Sequence, residues 1–243
     1  MLPTSSMRSP TSSSTSSSST DIRRYSFADY RTTKMTEALV FSWNYFLCPS
    51  YTLQQEMHIA VNSGYQSSNR LANLHKACAQ LDPEIASTLY YARSLGYLYV
   101  LVENSLDDFQ AQLDTFFPKT ARLIADARSN IQLACALKST QLQFMYEHLL
   151  YSICTKSARL QLSTISLTVF GPEELRLACL TIARSLTTVV PKTIRTTSDG
   201  PASFVQVNQR LYMVRQHLEG IVMHDTAMDM PMRPIARPRS MCF

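Results

Sequence analysis

The sequence predicts an all-α fold, a single bundle of about eight helices. Three observations carry that reading. Glycine occurs five times in 243 residues, too few for turn-dense β-sandwiches, collagen or glycine-rich phosphate loops. Helix-start signals recur along the chain, each followed by apolar residues at helical spacing. The links between these segments are short, so nothing forces a second domain. An apolar fraction of 45% with 17% charged residues is globular composition.

The elements follow in order. Residues 1–20 hold ten serines and four threonines, with nothing to bury, and read as a disordered tail. Residues 21–35 read as a basic arm, and the helical domain is expected over 36–224. Its first helix, Thr36–Leu47, is apolar and aromatic and stops before Pro49. Thr52-Leu-Gln-Gln55 has capping-box spacing and opens a helix that ends near Gly64. Ser68 opens the next, which runs to about Leu81. Asp82-Pro83-Glu84 supplies a cap, a proline at the first helical position and a first-turn acid. The helix it starts is expected to reach about Glu103, with a central buried stretch at Leu95–Val102.

Ser105-Leu-Asp-Asp108 caps a short helix ending near Phe117, and Pro118 starts another. Ile124, Ala127, Ile131, Ala134 and Cys135 then continue at helical spacing. Thr140-Gln-Leu-Gln143 is a second capping box, opening a helix with Leu142, Met145, Leu149 and Ile153 on one stripe. Residues 159–170 are ambiguous between strand and helix, because their alternation slips in the middle. Gly171-Pro172-Glu173-Glu174 begins a helix that ends before Pro191, and residues 190–202 read as a loop. Ser203-Phe-Val-Gln206 is a third capping box. After it, Phe204, Val207, Leu211, Val214, Leu218 and Ile221 recur at alternating steps of three and four. This is a seam for the protein's own core or for another subunit. Residues 225–243 read as an extended arm rich in Met, Pro and Arg.

Chemistry narrows mostly by exclusion. There is no GxSxG, HExxH, phosphate-loop or calcium-loop motif, so no catalytic residues are assigned and no enzyme is expected. Cys154 and His148 share one helix six residues apart, which puts them on different faces. No metal site is expected. His75 with Cys78 is one close pair, and His217 with His224 is only a loose one, whereas a zinc site draws four ligands from tight pairs. No cofactor or small-molecule substrate is expected. The cysteines form no CxxC pair, and Cys78, Cys135, Cys154 and Cys179 sit in apolar patterns. They read as reduced core thiols of a cytoplasmic or nuclear protein. The N-terminus has no apolar signal region and no run spans a bilayer.

Charge says more. Lys and Arg number 23 against 18 Asp and Glu, a net +5. Basic residues of the second half are spread over several elements, and Tyr25, Phe27 and Tyr30 interleave with the arm arginines. That mixture suits phosphate contact and base stacking. The candidate contacts are Arg23, Arg24, Arg31 and Lys34 in the arm, with Arg122, Arg128, Arg159, Lys192, Arg195, Arg210 and Arg215 beyond it. The function expected is therefore a non-enzymatic assembly protein of nucleocapsid or coat type. It would contact nucleic acid, RNA in preference, and form a homo-oligomer through extended termini. The alternative is a helical adaptor or matrix-like protein that binds no nucleic acid. Ser26, two residues after Arg23-Arg24, is a candidate phosphorylation site on the arm.

Overall fold

The structure is a computed structural model that describes residues 35–62, 67–135, 141–160, 164–196 and 200–232. The all-α expectation is overturned. The chain builds a six-stranded, wholly parallel sheet in the order β3-β2-β1-β4-β5-β6, with helices between the strands. The strands are β1 (Thr36–Ser42), β2 (Tyr97–Val102), β3 (Ile131–Cys135), β4 (Ile165–Gly171), β5 (Val189–Thr196) and β6 (Met228–Met232). The helices are α1 (Ser50–Asn62), α2 (Ser67–Ala92), α3 (Leu106–Phe116), α4 (Pro118–Ala125), α5 (Leu142–Leu160), α6 (Glu173–Ser185) and α7 (Phe204–Val222).

The misreading has a physical cause. A parallel strand covered by helices on both faces is apolar on both, so it reads as an unbroken apolar run rather than an alternation. Leu98–Val102 is buried throughout. Periodicity alone cannot separate such a run from a buried helix. The helix expected over Thr36–Leu47 is instead β1 followed by a π-helical turn at Trp43–Leu47. The helix expected to reach Glu103 ends at Ala92, and the apolar stretch after it is β2. Ile131, Ala134 and Cys135 lie on β3. The ambiguous 159–170 segment contains most of β4, the loop expected over 190–202 contains most of β5, and β6 lies within the expected C-terminal arm.

Alternation reappears once both faces are considered. Leu39 and Phe41 of β1, Leu98 and Val100 of β2, Phe170 of β4 and Ile194 of β5 face one core, which α1, α2, α3, α4 and α7 cover. Ala38 and Val40, Leu101, Leu167 and Val189 face the other core, which α5 and α6 cover. Gly96 shows how closely β2 approaches β1. A Cβ there would lie 2.5 Å from the Glu37 carbonyl oxygen, so a side chain would push the strands apart.

Several local signals act where the sequence places them. Ser105 caps α3 by accepting the Asp108 amide, and Pro118 opens α4. Ser203 and Gln206 complete a reciprocal capping box at α7. Two signals act elsewhere. Asp82 lies inside the continuous helix α2 and caps α4 instead. Its buried carboxylate accepts the Lys119 amide at 2.8 Å, the Thr120 amide at 2.9 Å and the Thr120 hydroxyl at 2.7 Å. Thr52 lies within α1, and its hydroxyl donates to the Ala202 carbonyl rather than to its own helix. The box at Thr140, the stop at Gly64 and residues 1–34 and 233–243 lie outside the described residues.

The connections carry one reversal. From β1 to β2 and β2 to β3 the chain steps toward one edge, with its helices on the first core. From β3 to β4 and β4 to β5 it steps the other way, with its helices on the second core. Changing direction and face together preserves the hand. These four crossovers therefore share one hand, and about 98% of such units are right-handed. The step from β5 to β6 continues in the direction of β4 to β5, yet α7 lies on the first core. That crossover has the opposite hand.

Candidate functional site in the crevice between β1 and β4

In an open parallel sheet the chain leaves each strand at its carboxyl end, and neighbouring strands whose connections depart in opposite directions leave a crevice between them. Here that point lies between β1 and β4. A cavity of about 550 Å³ opens there. It is lined by Asn44 and Tyr45 after β1, by Pro49, Ser50, Tyr51, Thr52 and Gln54 at the start of α1, and by Asn104 after β2. Pro172, Glu173 and Glu174 before and within α6, Thr196 of β5 and the segment Gly200–Ala202 complete it.

Behind the lining residue Asn44 is a buried polar cluster. Glu103, directly after β2, accepts the Ser42 hydroxyl at 2.5 Å, the Tyr146 hydroxyl at 2.9 Å and the Asn44 amide at 3.1 Å. Burial pushes the Glu103 pKa up, and the hydrogen bonds from Ser42, Asn44 and Tyr146 oppose that shift. Burial first, and the Glu103 and Glu174 charges second, raise the pKa of Tyr45. Asn44 donates through Nδ2 to Asn104 Oδ1 at 3.1 Å. Its own Oδ1 is buried without a hydrogen-bond partner. The Ser50 side chain interacts with the Cys48 thiol, and that hydrogen bond opposes the rise that burial gives the thiol pKa.

Glycine at 171 belongs to this geometry. A Cβ there would meet Leu175 Cδ2 at 2.6 Å and Ser42 Cβ at 3.1 Å, so β4 turns into α6 only with a bare backbone. The strand order is that of dinucleotide-binding domains, whose first turn needs glycines so that backbone can approach a pyrophosphate. In this chain the π-helical turn fills that place. Trp43 is buried, sits edge-on to Phe109 and Phe117, and donates to Gln112 at 2.7 Å. The residues present do not fit a dinucleotide.

The described basic candidates lie on several elements with different partners. Lys192 points into the first core, fully buried, donating to the Val222 carbonyl and lying 3.7 Å from Glu37. It is unavailable to phosphate. Burial lowers its pKa, opposed by the Glu37 charge. Arg195 pairs with Glu173 at 2.9 Å, and Arg215 with Glu84 at 2.6 Å. Arg210 donates to the carbonyls of Tyr45 and Phe46 and sits 5.3 Å from the Phe46 ring centre. Arg122 and Arg128 are exposed on and after α4. Arg159 is a residue of α5 whose side chain is not described, and Arg23, Arg24, Ser26, Arg31 and Lys34 lie outside the described residues. The seam Val207, Leu211, Val214, Leu218 and Ile221 is buried in the first core, with Phe204 packed against it.

The crevice residues carried only faint sequence signals. Gly171-Pro172-Glu173-Glu174 marks a helix start, and Glu103-Asn104-Ser105 ends an apolar run. That both ends meet Asn44 is a consequence of strand order. No protein-family model, curated protein or solved structure matches the chain. Among the described residues no group of three or more His, Cys, Asp or Glu side chains is placed to hold a metal ion, and no helix is long and apolar enough to cross a membrane.

Proposed function

We propose that this chain is a small-molecule-binding protein whose ligand seats in the β1/β4 crevice. The observation that carries the reading is a cavity of about 550 Å³ at the strand-order reversal, lined by polar side chains that include Asn44, whose Oδ1 is buried with no hydrogen-bond partner. Buried polar groups are normally paired, and a bound ligand is one way to pair them. A thermal-shift panel of amines, polyols, nucleosides and organic phosphates tests it. A ligand at about 100 times its Kd stabilises by roughly 2.7 kcal/mol. At least one compound should raise the melting temperature of the wild type and fail to do so for Ala202→Trp, which fills the cavity. A panel with no hit that Ala202→Trp abolishes would overturn the reading.

A second reading, nucleic-acid contact by an assembling protein, is favoured by the charge partition. Residues 1–34 carry five basic and two acidic side chains, and residues 233–243 carry three basic and none acidic. The ends thus hold +6 and residues 35–232 hold −1 of the total of +5. Phosphate contact then falls to Arg23, Arg24, Arg31 and Lys34 and to the C-terminal arginines, with Arg122 and Arg128 as the exposed candidates of the folded part. RNA affinity should fall steeply with salt, and neutralising the four arm residues should flatten that dependence. RNA binding that is absent, or insensitive to those substitutions, removes this reading.

A further inference from the structure

We propose, resting on the crevice as the ligand site, that its occupant is an aliphatic oligoamine, a chain of ammonium groups and methylenes lying along the carboxyl edge of the sheet. The crevice does not end at α1. A second cavity of about 510 Å³ lies beside it, and Gln54 and Asn104 line both. The two cavities share these walls, the first lined also by the start of α6 and the second by the start of α3.

Among the described residues neither lining contains a lysine, arginine or histidine. Carboxylates are present in both. Glu173 is spent on Arg176 and Arg195. Glu174, half-buried in the first cavity, has no hydrogen bond or ion pair with any described residue. Asp108 lines the second cavity and accepts the Ser105 hydroxyl at 2.6 Å, with no cation paired to it among the described residues. Asn44 lines the first cavity and donates through Nδ2 to Asn104, which lines both, while its Oδ1 is buried with no hydrogen-bond partner. The unspent groups are thus acceptors, and two carry negative charge. They call for a ligand that donates and is positive.

The apolar parts agree. The exposed rings of Tyr45 and Tyr51 line the first cavity, where ring faces attract ammonium groups. Met57 and Phe116 line the second, suited to methylene segments. The amino end of α1 also opens on the first cavity, but an anion there would meet Glu174 and the charge of Glu103 with no basic side chain among the described lining residues. A phosphate-bearing ligand is therefore disfavoured.

The test is calorimetric titration of the full chain with spermidine, beside 1,8-octanediol as an uncharged chain and inorganic phosphate as an anion. Spermidine should bind and the other two should not. Glu174→Gln should weaken spermidine about tenfold or more, Asp108→Asn by a smaller factor, and Asp114→Asn, an exposed acid outside both cavities, not at all. Circular dichroism of each variant confirms that it is folded. Binding of the diol or phosphate in place of spermidine overturns the oligoamine assignment and leaves the crevice as a ligand site. Equal weakening by Asp114→Asn reduces the effect to general charge attraction and also overturns it. No binding by any compound of either panel, with Ala202→Trp indistinguishable from wild type, removes the ligand site itself.

Discussion

The units β4–α6–β5 and β5–α7–β6 share a strand and step in the same direction across the sheet, yet their helices lie on opposite faces. The first follows the rule that strand twist imposes on crossovers. The second breaks it. What differs is the company each helix keeps. Helix α6 joins α5 over a core built on Leu167, Val169 and Val189. Helix α7 lays its seam into the larger core with α2, beside Leu39, Phe41 and Ile194. Polar pins hold it there, with Lys192 bonded to the last residue of α7 and Arg215 bonded to Glu84 of α2. The hand of a crossover is a preference of the local chain, and a sufficiently buried helix face overrides it.

The largest test of that comparison removes the pin at Lys192. Lys192→Ala leaves the Glu37 carboxylate and the Val222 carbonyl without their buried partner. It should cost about 3–5 kcal/mol in urea unfolding. Lys192→Met combined with Glu37→Gln should recover most of that loss, since the pair is then replaced by groups that need no counter-charge. A cost below about 1 kcal/mol for the single variant would show that the pin does not hold α7.

Next come the two helix faces. Leu211 of α7 and Leu175 of α6 are both fully buried. Leu211→Ala and Leu175→Ala should each cost about 2–5 kcal/mol, the range for buried leucines. Comparable values mean that the reversed crossover is packed as firmly as the regular one. A much smaller value at Leu211 would break the comparison.

A smaller effect is expected at the entry to α7. Ser203→Ala deletes the hydroxyl that takes the Gln206 amide and should cost about 0.5–2 kcal/mol. Helix α6 begins at Pro172 with no side-chain cap, so no single capping substitution there should match it.

The smallest effect is tied to pH. Asp229 of β6 accepts Arg176 of α6 and Thr193 of β5, and so fastens the edge strand to the regular unit. The hydrogen bond from Arg176 leads the causes that lower its pKa, with burial opposing. The unfolded chain therefore takes up this proton first as pH falls. The stabilisation is present above the ordinary carboxylate range and is lost as pH falls through the lower, folded pKa. Amide exchange of β6 should rise over that acidic window, and Asp229→Asn should abolish the dependence. Unchanged exchange in β6 across the window would show that its backbone pairing to β5 alone holds the edge.

Much of the helical part was legible in the sequence. Ser105, Pro118 and the Ser203 box act locally, within a few residues, and they mark helix starts correctly. The α7 seam was legible for the same reason, because a buried face on a helix repeats at a fixed spacing. The strands were not. Their alternation is erased by burial on two faces, and Leu98–Val102 looks alike whether it is strand or helix. The crevice was less legible still. Glu103, Asn44 and Glu174 each look like ordinary residues near an element end. Among the basic candidates, a charge count cannot distinguish Lys192, sealed in a core, from Arg122 on the surface.

The sequence by itself determined where several helices begin and which face of α7 is apolar. These are properties of composition and of spacing along one turn. The tertiary structure alone decided that six short segments pair in parallel, that β1 and β4 stand side by side with their connections parting, and that α7 crosses to the first core. Each depends on contacts between residues far apart in the chain, and such contacts leave no periodic mark in the sequence that makes them.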